Sequence, residues 1–244
     1  MTKKIFIICV FIIFAIAYEA ASENVVIYLP SSGEASAPEW VGEAGRYAEA
    51  SDGASTSVTV DATIEQGNTA VVLIGWHSST QTLTSVTDSQ SNTYTIHEDL
   101  NHNSNENVAI ASAYISTALT SGVDTITATW GSPAYTYRGL VVEGANIQSS
   151  GQPDQSATGS GTGTSVSASA STSAANTLCV GAVKYYDSSV TYGSSNWTVS
   201  GSIFSSGDSQ LYVFYTEETT AGSKDPGGTM SASENWGVVW AAFD

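Results

Sequence analysis

The sequence predicts an all-β fold, an antiparallel β-sandwich that forms a single domain behind an extended N-terminal segment. Short segments of alternating apolar and polar residues recur along the chain, and turn-forming residues separate them. Ser, Thr, Val, Tyr and Gly are abundant, and almost no stretch shows helical periodicity. This combination is typical of sandwiches and barrels built from short strands.

The first strands are the clearest. Residues 57–60 alternate, whereas residues 70–76 form a continuous apolar run, which indicates a central strand covered on both faces. Residues 125–130 place their apolar side chains, including Trp130, on one face, because side chains alternate across a strand. Further strands are predicted at 108–115, 138–143, 178–186, 197–200, 211–217 and 236–243.

Two connecting regions have distinctive compositions. Residues 85–96 predict a β-hairpin, because the five turn formers at 88–92 can bond to their own backbone between two short alternating segments. Residues 149–173 are nearly all Gly, Ser, Thr and Ala, which predicts either a long surface loop or a pair of thin edge strands. No internal repeat is evident.

The first 17 residues predict a secretory signal peptide. Lys3 and Lys4 precede an apolar run at 5–16, and Ala15 and Ala17 supply the small residues of a cleavage site. The run is shorter than the ~20 residues that span a bilayer, so an uncleaved membrane anchor is the weaker alternative. We therefore expect a secreted protein, located outside the cell or on its surface.

The mature chain is strongly acidic. Four basic residues and 23 acidic ones follow the leader, which gives a formal charge of −19. A chain of this charge repels nucleic acid and anionic membranes at long range, so neither is an expected partner. Hydrophobic residues make up 41% of the chain and charged residues 12%, so the sequence is that of a folded domain and not of an acidic disordered tail.

The residues that carry common catalytic chemistry do not form a recognisable motif. His97 and His102 are five apart, whereas a zinc-protease helix needs a spacing of four. No credible nucleophile elbow or phosphate-binding loop is present. Cys9 belongs to the leader, so Cys179 is alone and is expected to be a small buried hydrophobic residue. We therefore predict a non-enzymatic protein without a cofactor.

Oxygen-bearing side chains alternate after residue 98. They are Asp99, Asn101, Asn103 and Asn105. Calcium takes six to eight hard oxygen ligands, so an irregular structural calcium site is one interpretation. The segment is not an EF-hand, because the position of the closing glutamate, 110, is Ile. A polar hairpin loop is the alternative.

Sugars could be involved in two ways. The chain has 6 Trp and 12 Tyr residues, and exposed aromatic rings can stack on sugar faces, although most such residues pack in cores. Asn196, followed by Trp197 and Thr198, forms the sole N-glycosylation sequon and follows a run of turn formers. We expect Asn196 to lie on the surface, where it could carry a glycan.

Six segments together resemble a jelly-roll-like sandwich domain that recurs in secreted bacterial and phage surface proteins. They are NTAVVLIG at 68–75, VTDSQSNTY at 86–94, ITA at 126–128, NWT at 196–198, LYVFY at 211–215 and WGVVW at 236–240. The resemblance covers residues 55–244. It implies surface display, adhesion or sugar contact, and it brings no catalytic residues.

Residues 18–54 are an N-terminal extension to that domain. The extension contains an apolar strand formed by Val25, Val26, Ile27, Tyr28 and Leu29. In this respect the chain is similar to subunits of extracellular filaments that polymerise by strand donation, in which one subunit's N-terminal strand completes its neighbour's sheet. We therefore predict a structural subunit that self-associates through this strand. The alternatives are that the strand pairs within its own sandwich, and that the protein is a carbohydrate-binding adhesion module.

Overall fold

The computed structural model describes residues 37–49, 53–77, 81–102, 106–134, 138–147, 152–187, 189–204 and 209–244. These residues form sixteen strands and no helix, which confirms the all-β prediction. It follows that no helix in the described ranges could cross a membrane. The strands are β1 Glu39–Glu49, β2 Gly53–Thr59, β3 Thr69–Trp76, β4 Leu83–Asp88, β5 Thr95–Leu100, β6 Asn107–Tyr114, β7 Thr125–Ala134, β8 Arg138–Asn146, β9 Gln155–Val166, β10 Ala170–Thr172, β11 Thr177–Tyr185, β12 Tyr192–Ser194, β13 Thr198–Phe204, β14 Gln210–Glu218, β15 Gly222–Lys224 and β16 Gly228–Phe243.

The first eight strands form two antiparallel sheets around one hydrophobic core. The larger sheet has the order β1-β8-β3-β6-β5, and the smaller has the order β2-β7-β4. Alternate residues of β3 and β6 face the apolar side of β2, β4 and β7, and Trp76 and Trp130 meet edge to face with ring centroids 5.9 Å apart. The alternation predicted for residues 57–60 and 125–130 places Val58 and Trp130 in this core, as expected.

The last eight strands repeat this arrangement. The order β9-β16-β11-β14-β13 matches β1-β8-β3-β6-β5 strand for strand. The short pairings of β10 with β15 and of β12 with β16 take the place of the β2-β7-β4 sheet of the first half. The cross-strand register also matches, because Trp76 lies opposite Asn107 and Tyr185 lies opposite Gln210. The described strands therefore form two structural repeats, β1–β8 and β9–β16, although no repeat is evident in the sequence.

The five-stranded sheet of the first repeat and the six-stranded sheet of the second, which are the two large sheets, pack face to face across a middle core. Val71 and Leu73 of β3 contribute from the first repeat, and Val180 of β11 and Val239 of β16 contribute from the second. Because the other residues of β3 face the first repeat's own core, both faces of β3 are apolar and buried. The prediction that residues 70–76 form a central strand covered on both faces is confirmed. The stacked antiparallel sheets are consistent with a β-sandwich architecture.

The structure corrects or selects among three of the sequence-based expectations. The hairpin at 85–96 is wrong, because β4 pairs with β7 while β5 pairs with β6 in the other sheet. The Gly/Ser/Thr-rich segment contains β9 along the edge of the second large sheet, so the edge-strand alternative is the correct one there. Part of the predicted N-terminal extension, Glu39–Glu49, is a strand of the first large sheet.

Aspartates hold several turns together. Asp88 accepts hydrogen bonds from the backbone amides of Gln90 and Asn92, and Asp154 accepts them from the amides of Ser173 and Ala174. Such bonds satisfy backbone donors that strands leave unpaired at their ends. Part of the acidity of the chain therefore has a structural purpose.

Asp225 is the most connected of these aspartates and gives a first prediction. Its carboxylate accepts bonds from the Ser167 and Ser169 hydroxyls and from the Ala168 and Gly227 amides. Burial alone would raise the pKa of Asp225, but these bonds outweigh burial and hold the pKa below its ordinary value. We expect Asp225→Ala to lower the free energy of unfolding by about 2 kcal/mol at pH 7, because hydrogen bonds to a charged group are lost.

The deficit of Asp225→Ala should depend on pH. A carboxyl whose pKa is depressed in the folded state contributes stability above its unfolded pKa, near ~3.9, and loses that contribution as the pH falls through the folded value. The wild type and the variant should therefore converge in acid, as measured by urea unfolding. The exposed Glu65→Ala is the control. A deficit that stays constant from pH 7 to acid would contradict the role given to the charge.

Candidate functional site

The predicted calcium ligands are only partly within the described residues. Asp99 lies on β5 and is half-buried, Asn101 is exposed just beyond the strand, and Asn103 and Asn105 lie outside the described ranges. One carboxylate oxygen of Asp99 accepts a hydrogen bond from the Leu83 amide at 3.0 Å, which links β5 to β4. Burial raises the pKa of Asp99, and the Leu83 amide partly offsets that rise. Asp99 therefore connects two sheets whether or not calcium binds.

Metal ligation has no further support in this part of the molecule. No group of three or more His, Cys, Asp or Glu side chains in the described ranges is arranged to hold a metal ion. The candidate site at Asp99, Asn101, Asn103 and Asn105 accordingly remains a prediction.

The sequon presents its asparagine to solvent. Asn196 is exposed between β12 and β13. Trp197 beside it is buried in a third core, which the second repeat forms around Phe214 and Trp240. The Asn196 side-chain amide donates a hydrogen bond of 3.3 Å to the carbonyl of Asp225. A glycan would replace one of the two hydrogens on this nitrogen, so only the other would stay available for that bond. Modification of Asn196 stays a prediction.

The tryptophans are mainly buried core residues. Five of the six are buried, and the sixth, Trp40, stacks on Tyr215 at a centroid distance of 4.2 Å with nearly parallel planes. Because Trp40 belongs to the first repeat and Tyr215 to the second, this stack joins β1 to β14. The more exposed aromatic side chains in the described ranges are Tyr47 and Tyr114, each 39% exposed.

Two side chains of opposite charge, which we call the charge pair, lie buried between the two large sheets and interact electrostatically. The Lys184 ammonium donates to the Tyr185 carbonyl at 3.4 Å, and Oε2 of Glu106 accepts no hydrogen bond from a described residue. Lys184 of β11 is 2% exposed and Glu106, just before β6, is 1% exposed. Burial lowers the pKa of Lys184 to about 8, and Glu106 partly offsets that effect. Burial likewise raises the pKa of Glu106 to about 7, and Lys184 partly offsets that rise. Each group therefore depends on the other for its charge in a region that excludes water.

The charge pair is a point at which the two repeats differ. The register of the paired strands makes Lys184 the counterpart of Gly75, and makes Glu106 the counterpart of Ser209. A Cβ atom on Gly75 would lie 3.2 Å from Cδ of Lys184, so the glycine of one repeat makes room for the lysine of the other. Two copies of the first repeat would bury glutamates without the lysine, and two copies of the second would bury lysines without the glutamate, which is unfavourable.

This charge pair was missed in the sequence, although a signal was available. Lys184 is a lone charged residue in the apolar segment 178–186, and such a residue in a buried strand needs a partner. The identity of that partner could not be read from the chain, because Glu106 is far away in sequence. Both groups are almost completely buried, so neither could be recognised as exposed charge from the sequence.

The remaining candidate surfaces are the edges of the large sheets. The first sheet ends at β1 and β5, and the second ends at β9 and β13. β1 lies beside β13 and β14, where the backbone amide of Trp40 donates to Glu217 at 3.2 Å. β5 lies beside β9, where the Ser156 hydroxyl donates to Glu98 at 2.6 Å. β1 and β9 therefore occupy opposite edges of the packed pair of sheets.

Two predictions lie outside the described residues and remain predictions. They are the leader at 1–17 and the donor strand formed by Val25, Val26, Ile27, Tyr28 and Leu29.

Comparison with known proteins leaves the suspected surface-protein family untested: no family model, no curated protein and no solved structure matches this chain.

Proposed function

We propose that the protein is a secreted, non-enzymatic structural subunit of an extracellular filament or surface layer, in which the strand at residues 25–29 of one copy completes a sheet of the next. The observation that carries the proposal is the combination of sheet edges that pair with no further described strand and an apolar segment ahead of β1, which is itself an edge strand. An unpaired edge presents free backbone donors and acceptors, and a donated strand satisfies them.

The use of the side chains elsewhere supports the proposal. The buried tryptophans fill the cores, several aspartates bond to turns, and the most buried charges pair between the repeats. The described sheet edges present backbone groups that these side chains do not occupy. A rigid body with backbone edges is suited to assembly.

The chain between the proposed donor and the body is long enough for exchange between copies. Residues 30–38 separate Leu29 from Glu39. Nine residues in extended conformation reach at most ~30 Å, and a five-stranded sheet is ~19 Å wide. A donor strand could therefore reach past the edge of its own body and pair with an adjacent one.

Deletion of residues 18–30 tests the proposal. We expect the mature chain to form filaments that are visible by negative-stain electron microscopy, and the deleted chain to remain monomeric in analytical ultracentrifugation. The deletion leaves β1 and every other described strand intact, so circular dichroism should show unchanged strand content. Filaments formed by the deleted chain would refute strand donation, and a mature chain that never assembles would refute the structural role.

The carbohydrate-binding alternative has weaker support. It requires exposed aromatic rings, and the tryptophans are buried or stacked, which leaves Tyr47 of β1 and Tyr114 of β6 as the more exposed rings described. Saturable binding on a glycan array by the non-assembling deletion variant would favour this alternative over the structural role.

A further inference from the structure

We infer that the outer edge of β9, over residues 155–163, is the edge that accepts the 25–29 strand of a second copy of this chain. The inference rests on the proposed function and adds to it the partner surface of the donated strand. It concerns the backbone groups that β9 turns away from β16.

β9 offers a long regular edge. Residues 155–163 pair with residues 234–242 of β16 without a register shift, and a shift follows only beyond Gly163. In the part of the chain that the structure describes, β9 pairs with β16 and with no second strand. A docking strand needs an uninterrupted row of unpaired donors and acceptors, and these nine residues supply one.

The other edge strands lack such a row. β1, β2, β4, β5 and β13 each contain a register shift within their pairing. The remaining short strands, β10, β12 and β15, have three residues each. Bulges and short edges are features by which proteins prevent edge-to-edge pairing. Among the described strands, β9 is the edge on which neither feature interrupts a long pairing.

β1 holds the same position in the first repeat as β9 holds in the second, so the two edges can be compared directly. β1 has two register shifts, and Arg46 pairs with Glu43 along it. Arg46 also reaches β13, where a Cβ on Gly201 would lie 2.5 Å from a guanidinium nitrogen. β9 has no charged residue and no proline between Gln155 and Val166. The β1 edge of the first repeat therefore carries register shifts and charged side chains that hinder strand docking, and residues 155–163 of β9 carry neither.

The placement of the two edges identifies the occupant. The N-terminal segment enters the body at β1, and the open edge lies at β9 on the opposite side. Pairing of one copy's N-terminal segment with the next copy's β9 is a head-to-tail contact between two different surfaces. Contacts of this kind propagate into rings or open filaments and do not stop at a dimer. We therefore assign a second copy of this chain as the occupant, and pairing of the segment with β9 of its own copy, which the linker is also long enough to reach, is the outcome that the cross-linking test must exclude.

Disulfide trapping between two different copies tests the assignment. The donor copy is the mature chain with Ile27→Cys, and the acceptor copy lacks residues 18–30 and has Ser160→Cys. Ser160 is exposed on β9, and the control acceptors place the cysteine at the exposed Val41 of β1 or Ser200 of β13. Burial raises the pKa of Cys179 to about 12, so this thiol should not compete for oxidation.

We expect a donor–acceptor disulfide at Ser160→Cys in at least about tenfold higher yield than at either control, because docking raises the effective concentration of the two thiols. Mature chains that form filaments but cross-link at Val41→Cys or Ser200→Cys instead would overturn the β9 assignment and leave strand donation standing. A single chain with both Ile27→Cys and Ser160→Cys that cross-links mainly within itself would also overturn the assignment. Absence of filaments together with absence of cross-links at all three acceptors would overturn the proposed function as well.

Discussion

Replacement of Lys184 by methionine is expected to lower the free energy of unfolding by about 3–5 kcal/mol at pH 8, because removal of one partner leaves the other charge buried without compensation. Lys184 and Glu106 are almost completely buried between the two large sheets. Methionine is close to lysine in size, so the space beside Gly75 stays filled and the loss reports the charge. Urea unfolding followed by tryptophan fluorescence measures the change.

The companion variant is the double substitution Lys184→Met/Glu106→Leu. Apolar residues of similar volume often replace a buried ion pair at little cost, so the double variant should recover most of the stability that the single variant loses. A double variant as unstable as the sum of the two single variants would show that the charges do not depend on each other. That result would also remove the argument that the pair matches one repeat to the other.

The charge pair should also give the stability a characteristic pH dependence. The pKa of Glu106 is raised to about 7 in the folded protein from an unfolded value of 4.5, so its contribution is present below the unfolded value and is lost as the pH rises through 7. In Lys184→Met no cation opposes this trend, so the deficit of that variant should grow between about pH 5 and pH 8. A deficit that shrinks over the same range would contradict the assignment.

Trp240→Ala is expected to cost about 3–5 kcal/mol, because it removes a large buried side chain and leaves a cavity. Trp240 lies in the third core on β16, a strand that pairs with both β11 and β9. Its indole nitrogen donates to the Ala168 carbonyl at 2.5 Å, and its ring meets Trp197 edge to face at 5.5 Å. The variant therefore loses packing and leaves a buried carbonyl unpaired, and thermal unfolding should show a clearly lower Tm.

Two matched variants separate these contributions. Trp240→Phe keeps an aromatic ring but loses the hydrogen bond, so it should retain much of the stability that Trp240→Ala loses. Val123→Ala, at a turn position that is 70% exposed, should change stability by less than about 0.5 kcal/mol. If Trp240→Ala were as mild as Val123→Ala, the third core would not be a cooperative part of the fold.

The local pattern of the sequence was sufficient to predict where these strands lie and which of their side chains are buried. The continuous apolar run at 70–76 became a central strand with both faces covered, and the alternation at 125–130 placed Trp130 in a core. Cys179 is buried, as expected for a lone cysteine between apolar neighbours. These predictions succeeded because the period of two and the distribution of apolar residues are properties of a single strand.

The local pattern did not predict which strands pair with each other. The segments on either side of residues 88–92 have the turn chemistry of a hairpin, yet β4 and β5 belong to different sheets. Asp88 and Asn92 do bond within the turn, so the local chemistry was correct while the partner strands were not. Turn residues specify how the chain bends, and the burial of both large sheets decides which strands then pair.

The sequence by itself determined that this is an acidic all-β chain with one cysteine beyond the predicted leader, with strands whose faces follow from their alternation. The tertiary structure alone decided that those strands form two repeats, that Lys184 and Glu106 are buried where their charges interact, and that β9 pairs with no second strand among the described residues. The reason is physical: alternation and turn chemistry act between residues a few positions apart. Repeat packing, charge pairing and edge exposure depend on residues that meet only after the chain has folded.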